Sequence, residues 1–395
     1  MTLSTDPVDP GRLGMSPARL DHAASLMQRQ YDDDSSPMLV AVVARHGQVV
    51  FSHAIGDRRP GGPPLSVDDI FPLASQTKPM VAATLMCLVE RGLVGLNESA
   101  TVHVPELEAG GDAAVMVHHL LTHTSGWNED DVTARMDERL DQIGAAWTGE
   151  PDLLSQILLL PGFEVPRRTR AGELMQYCNF NYSLLGEIIR RATGTTLDEA
   201  MRQYLFEPIG MTNSAVIVPE DMQCQVIERP PGIPFGPDHA DSPISFNDPL
   251  WAACDDGAGG VHASAIDCVR FGQMILDGGA VGDRRVLSRD AVRVMTTNQI
   301  PGVGAEVLGL RRDEACWGYG FGITSDAPWM RFSGGTVNAG SSRHGGMGGI
   351  NVWIDPTTGI VGAYFEMVTE WSDEKGPVSW AAHRFEDTVT AAVLD

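Results

Sequence analysis

Apolar residues recur at helical spacing between Pro17 and about Gln30, and two apolar runs follow directly. These runs, 38–44 and 49–51, are rich in valine, and a turn that contains Gly47 separates them. Short apolar runs on either side of a glycine turn predict a β-hairpin. The start of the chain is therefore predicted to be a helix packed on a hairpin.

The end of the chain shows the same elements in the opposite order. INVWID at 350–355 and IVGAYFEM at 360–367 flank the turn PTTG at 356–359. A final helix is predicted to begin near Ser379. The two ends of the chain are thus expected to contribute matching hairpins and helices.

Between the two ends the pattern is mostly helical. Two sets of apolar residues each share one helical face: Met80, Val81, Leu85, Leu88 and Val89; and Leu184, Leu185, Ile188 and Ile189. Another such run follows Ser264, which is placed as an N-cap. A helical region therefore interrupts a sheet region.

These patterns predict an α/β (α+β) fold: an antiparallel β-sheet built from both termini, flanked by terminal helices, with an inserted mainly helical domain. The expected divisions are an N-terminal tail at 1–14 and a single unit at 15–390. Within that unit, the α/β part is expected at about 15–78 and 258–395, and the helical part at about 79–257.

The composition of the chain limits the kinds of ligand and partner that it can bind. The 395 residues carry a formal net charge of −24, which repels nucleic acid and anionic membranes and favours a neutral or cationic small-molecule ligand. The first residues lack a basic start followed by an apolar run, and no apolar stretch is long enough to span a membrane, so a cytoplasmic location is expected. The six cysteines form no C-x-x-C pair and are expected to be free thiols.

The first candidate chemistry is Ser75 and Lys78, at the start of a predicted long amphipathic helix. Their spacing places both side chains on one helical face. A helix N-terminus favours a developing anion, and a lysine buried in such a positive environment gives up its proton easily enough to act as a base. The alternative is a capping serine beside a surface lysine.

Lysine usage adds to this argument because Lys78 and Lys375 are the only lysines of the chain. Arginine cannot act as a base at usable pH, so a retained lysine suggests a chemical role. Ser372 and Lys375 repeat the S-x-x-K spacing, but among carboxylates and just before Gly376-Pro377, which favours an ion-paired loop lysine.

A second motif, Tyr177-Cys178-Asn179, precedes the helical run that ends at Gly194. Together with Ser75-Gln76-Thr77-Lys78, it resembles the serine β-lactamase and penicillin-binding-protein superfamily, in the branch of class C β-lactamases and related esterases (family VIII carboxylesterases). Other segments resemble the family in the same order: HHLLTHTSGW at 118–127, FEPIGM at 206–211, GAGGVHASAIDCVRFGQMIL at 257–276 and HGGMGGINVWIDPTTG at 344–359.

The resemblance assigns roles to these residues. Ser75 would be the nucleophile and Lys78 its base, while the phenol or phenolate of Tyr177 would help carry the proton to the leaving group. Asn179 would orient the substrate. A neighbouring ammonium, that of Lys78, is expected to lower the pKa of Tyr177 toward neutrality.

The third family element is a Lys-Thr-Gly-like triplet, and its best match is His344-Gly345-Gly346. The glycines allow a close approach to the backbone. By resemblance, the N–H groups of Met347 and Ser75 would form the oxyanion hole. The triplet lysine that holds substrate carboxylates is replaced by a histidine, and strand alternation would turn Arg343 to the opposite face. This favours an esterase over a dedicated lactamase.

The sequence therefore predicts a serine hydrolase that forms an acyl-enzyme, acts on esters of small or medium acyl groups, and uses no cofactor or metal. Amide or peptide hydrolysis, such as that of a D-aminopeptidase, a DD-peptidase or a weak β-lactamase, and acyl transfer are alternatives within the same site. An inert acyl-binding sensor is the non-enzymatic alternative. The oligomeric state is left open.

Overall fold

The computed structural model covers most of the chain. The residues it describes are 3–110, 114–143, 159–229, 247–307, 310–326, 334–367, 371–372, 376–377 and 381–395.

A central six-stranded sheet is built from both ends of the chain. Its strands are β1 (Met38–Arg45), β2 (Gln48–Gly56), β3 (Gly322–Ile323), β4 (Ser342–Gly346), β5 (Ile350–Asp355) and β6 (Ile360–Glu366). Their order is β3-β4-β5-β6-β1-β2, and every neighbouring pair is antiparallel. Pairing of β1 with β6 sets Val42 opposite Ala363 and joins the two hairpins that the sequence predicts.

The longer described helices lie partly against this sheet and partly in the helical region. They are α1 (Pro17–Asp32), α2 (Thr77–Val89), α3 (Glu129–Ile143), α4 (Asn179–Thr193), α5 (Ala265–Leu276) and α6 (Ala382–Ala391). Ser16 caps α1 by accepting from the N–H of Arg19, and Ser264 caps α5 as its position predicts. Residues 378–380 lie outside the described part of the chain, and with them the predicted start of this helix near Ser379.

The two faces of the sheet are covered differently. The terminal helices α1 and α6 pack on one face, where Met27 and Phe385 bury against Tyr364. Helix α5 packs on the other face, against β5 and β6, with α2 and the helical region beyond it. This arrangement confirms the predicted antiparallel sheet with flanking terminal helices.

Helix α2 corrects one expectation. It was predicted to be amphipathic, but Thr77–Leu88 are all buried. The run TKPMVAATLMCLV has a single charged residue, Lys78, so the helix can pack on all sides between the sheet side and the helical region.

Shorter elements complete the described chain. The short α-helices are Val117–Leu121, Leu197–Met201, Glu207–Ile209, Glu220–Gln223, Pro249–Ala252 and Arg289–Met295. The short strands are Ile70–Pro72, Leu174–Gln176, Ser214–Ala215, His262–Ser264, Ala280–Val281, Arg284–Arg285, Gly304–Val307, Leu310–Arg312, Trp371–Ser372 and Gly376–Pro377. Among the described residues no helix has the length and apolar character needed to cross a membrane.

Candidate active site

Ser75 lies in a short 3₁₀ turn, Ala74–Gln76, between strand Ile70–Pro72 and helix α2. Ala74 has a φ of 46°, a left-handed conformation that costs a residue with a Cβ atom some energy. Such strain persists only where the surroundings impose it. Here it sets the half-buried Ser75 at the start of α2, as the sequence predicts.

Strand β4 lies directly against the residue before this turn. A Cβ atom at Gly346 would come within 2.1 Å of the Leu73 carbonyl oxygen, so only glycine fits. The expected need for glycine in the triplet is therefore real at this position, but the group that approaches closely is the protein's own backbone. The contact fixes the edge of the sheet against the turn that carries Ser75.

Lys78 is completely buried and donates three hydrogen bonds from Nζ. The acceptors are Ser75 Oγ at 2.9 Å, Asn179 Oδ1 at 2.7 Å and the Ala258 carbonyl at 2.8 Å. Burial lowers the pKa of Lys78 to about 8, while the carboxylates of Glu129 and Asp256 oppose that shift. A positive environment was expected to lower the pKa of Lys78, but these neighbouring charges are negative. Desolvation is what lowers the pKa and makes this lysine a usable base.

Tyr177 lies over the ammonium, with Lys78 Nζ 5.0 Å from the ring centroid. Burial raises the pKa of Tyr177 far above its usual value, and a hydrogen bond with Ser75 offsets only part of this shift. The expected lowering by Lys78 is not seen. Tyr177 is thus a neutral phenol in this structure, which can receive and pass on a proton but does not rest as a phenolate.

Asn179 begins helix α4, and its amide is held in one orientation. Its Oδ1 accepts from Lys78, while its backbone N–H donates to Glu129 Oε2 at 2.7 Å and its Nδ2 donates to Glu129 Oε1. A carboxylate that accepts from the first N–H of a helix also interacts favourably with the helix dipole. Glu129 therefore determines which side of the Asn179 amide faces Lys78.

A buried carboxylate shapes the loop that carries the Ala258 carbonyl. Asp256 accepts from the N–H groups of Ala258 and Gly259 at 2.9 and 3.0 Å, and from Ser183 Oγ at 2.6 Å. These bonds hold the loop in the conformation in which the Ala258 carbonyl meets Lys78.

His344, on β4, lies near the Tyr177 ring, with 6.1 Å between the ring centroids. Burial and the nearby Lys78 lower the pKa of His344 to about 3, so the imidazole is neutral at physiological pH. Gly345, Gly346 and Met347 follow it, half-buried, and their oxyanion and binding roles stay predictions. Arg343 faces the opposite side, donating to Asn351 Oδ1 at 2.6 Å near Glu386 of α6, as strand alternation predicts.

The structure brings Ser75, Lys78, Tyr177 and Asn179 together, although they come from two segments about a hundred residues apart. The S-x-x-K pair of Ser372 and Lys375 cannot be compared with it, because Lys375 lies outside the described residues. In the described part of the chain no three His, Cys, Asp or Glu side chains are placed to hold a metal.

Sequence reasoning missed several contributors to the site. Glu129 and Asp256 carry no motif of their own, and Trp317 packs 5.7 Å from His344, measured between ring centroids. Trp127, at the end of the segment HHLLTHTSGW, is buried, and its indole N–H donates to the Val165 carbonyl at 3.1 Å. One signal could have pointed to Glu129: it comes two residues after HHLLTHTSGW, a segment that resembles the family.

The chain is similar to known proteins. A family model described as Beta-lactamase matches residues 23–382. Esterase EstB of Burkholderia gladioli is 30% identical over 345 residues, which cover 81% of this chain and 83% of EstB.

Two solved structures show the same fold. A family VIII carboxylesterase superposes with a TM-score of 0.72 at 20% identity, covering 96% of this chain and 98% of that one. EstCE1, a hydrolase with promiscuous acyltransferase activity, superposes with a TM-score of 0.70 at 17% identity, covering 95% and 98%. The family match and the similarity to EstB show that this chain belongs to the beta-lactamase family, in the branch that contains esterases.

Proposed function

We propose that this chain is a serine carboxylesterase that acts through an acyl-enzyme on small or medium acyl esters. The observation that carries the proposal is the 2.9 Å contact between Ser75 Oγ and Nζ of the buried Lys78, whose pKa is lowered to about 8. A neutral lysine at this distance can accept the hydroxyl proton as the oxygen attacks. Similarity to EstB, an esterase, supports the same reaction class.

The first half-reaction transfers the acyl group to Ser75. Neutral Lys78 takes the Ser75 proton as Oγ bonds to the ester carbonyl carbon, and the N–H groups of Ser75 and Met347 are proposed to hold the oxyanion. The carbon–oxygen bond to the leaving alcohol then breaks. The proton passes from Lys78 through the Tyr177 hydroxyl to that alcohol oxygen.

The second half-reaction reverses these proton movements with water. Water attacks the acyl carbon, its proton goes to Lys78 through Tyr177, and Ser75 Oγ leaves and is reprotonated. The free acid departs and the site returns to its starting state. An acceptor alcohol in place of water would give acyl transfer, an activity that the name of the structural neighbour EstCE1 describes for that protein.

Esters without a carboxylate group are the proposed substrate class. The triplet offers a neutral His344 in place of a cation, so the site lacks at this position the charge that would hold a β-lactam or peptide carboxylate. Faster turnover of a cephalosporin or a D-alanyl peptide than of every neutral ester would replace the esterase with the amide-hydrolase alternative.

A cytoplasmic location stays a prediction of the sequence.

The test is turnover and labelling of purified protein. Ser75→Ala should abolish hydrolysis of short-chain p-nitrophenyl esters and the mass shift from a fluorophosphonate probe. Ser372→Ala, at the head of the other S-x-x-K sequence, is the matched control and should retain both. A probe adduct on a Ser372 peptide, or turnover by the Ser75 variant, would show that the nucleophile is another residue. A stable adduct without turnover would favour the acyl-binding sensor.

A further inference from the structure

A carboxylate ends the hydrogen-bonded series that starts at Ser75. Lys78 Nζ joins Ser75 Oγ to Asn179 Oδ1 at 2.9 and 2.7 Å, and the other side of the Asn179 amide donates to Glu129. Asn179 is exposed and Glu129 is half-buried. This end of the series therefore opens toward solvent, whereas Lys78 is closed off behind it.

The charge at this opening is negative. Arg168, close in the fold, forms its ion pair with Asp131 at 2.6 Å, and in the described part of the chain no arginine or lysine pairs with Glu129. Lys78 must be neutral when it acts as a base, and His344 is neutral. The carboxylate of Glu129 is thus the fixed charge that a substrate group beside Asn179 meets.

We propose that Glu129 is a specificity-determining residue that favours substrates whose acyl group carries a positive charge. The inference rests on the proposed esterase function and narrows it to a substrate class. Asn179 is the residue proposed to orient the substrate. With the acyl group beside Asn179, a cation on that group comes close to the carboxylate that holds the Asn179 amide. An anionic acyl group is repelled at the same place.

The size of the preference follows from Coulomb's law. Two unit charges about 6 Å apart near a protein surface interact strongly enough for roughly a tenfold change in an equilibrium constant or more. Solvent and salt reduce this effect at a half-buried group. At low salt we expect cationic over neutral acyl esters to be favoured at least about fivefold in kcat/KM, mainly through KM.

Three p-nitrophenyl esters with the same leaving group test the proposal. Their acyl groups are 4-(trimethylammonio)butanoyl, its neutral isostere 5,5-dimethylhexanoyl, and hemiglutaryl, which carries a carboxylate. The expected order of kcat/KM near neutral pH is cationic, then neutral, then anionic. The ratio of the cationic to the neutral ester should fall as salt is raised.

Two variants separate specificity from general damage. Glu129→Gln removes the charge and should bring the cationic-to-neutral ratio close to one, whatever it does to the overall rate. Asp130→Asn removes the next carboxylate of α3, which does not contact Asn179, and should keep the wild-type ratio. Because ratios compare two substrates on the same molecules, partial misfolding of a variant does not change them.

Contrary results are distinct. A wild-type ratio near one, or equal loss of the ratio in both variants, would overturn the role of Glu129 while leaving the esterase intact. Absence of turnover on all three esters would overturn the proposed function and this inference with it.

Discussion

The two faces of the central sheet each bury an ionisable group, and the groups differ in what surrounds them. On one face Lys78 is hydrogen-bonded to Ser75 Oγ, Asn179 and Ala258. On the other face Glu366 is 2% exposed. It accepts from Gln30 Nε2 at 2.7 Å, the Ala381 N–H at 2.9 Å and the Tyr364 hydroxyl at 3.2 Å.

Burial is the main cause of both pKa shifts. It lowers the pKa of Lys78 to about 8 and raises the pKa of Glu366 to about 7. Both groups would therefore titrate near neutral pH, yet only Lys78 touches a hydroxyl that is half-exposed. A perturbed pKa thus reports desolvation, and contact with an accessible nucleophile is what distinguishes a candidate base from a structural group.

The largest expected effect is a difference in activity between variants of Lys78 and of Glu366. Lys78→Arg keeps the positive charge but cannot transfer the proton, so kcat/KM for a neutral ester should fall by roughly 10²–10⁴. Glu366→Gln should leave the value close to wild type. Steady-state kinetics on folded protein, checked by circular dichroism, measure both. Near-normal activity of Lys78→Arg would show that Lys78 serves only as a fixed charge.

The next effect is the pH dependence of the rate. The folded pKa of Lys78 is about 8, and the base must be unprotonated, so kcat/KM should rise with pH and level off above about 9. Below about pH 7 it should fall about tenfold per pH unit. Among the described residues, the titratable groups that face Lys78 include Glu129, Asp256, Cys178, His123, Tyr177, Tyr182 and His344. A flat profile from pH 6 upward would mean that another group is the base.

Titration of Glu366 should change the stability of the protein and not its activity. Its folded pKa of about 7 lies above the unfolded value of 4.5, so the folded state binds the extra proton and stability falls as pH rises between those values. Relative to wild type, Glu366→Gln should gain about 2 kcal/mol in the free energy of unfolding between pH 5 and pH 8. Urea unfolding at both pH values measures this difference. Parallel pH dependence in the two proteins would remove Glu366 as the source.

The smallest expected effect concerns His344. His344→Lys should improve hydrolysis of a carboxylate-bearing ester relative to a neutral one by about tenfold, since a charge-assisted contact becomes available. The neutral ester should not be hydrolysed faster. Kinetics with p-nitrophenyl hemiglutarate and p-nitrophenyl valerate give the ratio. An unchanged ratio would show that position 344 does not meet the substrate carboxylate.

The overall fold could be predicted because its signals are local. Helical spacing at α1 and the two hairpins at 38–56 and 350–366 each lie within one short stretch, and their pairing follows from burying one apolar face. The character of α2 was missed although its run TKPMVAATLMCLV has one charge. The prediction assumed one apolar and one polar face, but this helix has no face exposed to solvent.

The site could be predicted only in part. The spacing of Ser75 and Lys78 also occurs at Ser372 and Lys375, so the local context, the start of an apolar helix as opposed to a loop rich in carboxylates, singled out the first pair, and the family resemblance then assigned the roles. Glu129 meets Asn179 across 50 positions, and nothing local marks that contact. Burial of Lys78 and Tyr177, which sets the direction of their pKa shifts, is likewise a result of tertiary packing.

Because Gly346 lies against the Leu73 carbonyl, the first and third positions of the triplet 344–346 differ in how freely their residues can be replaced. Any side chain at 346 would push the sheet edge away from the strained turn at Ala74, so this position is restricted by the fold itself. Position 344 has no such restriction from the backbone and accommodates an imidazole. During divergence, substrate preference can therefore change at the first position of the triplet while the third remains glycine.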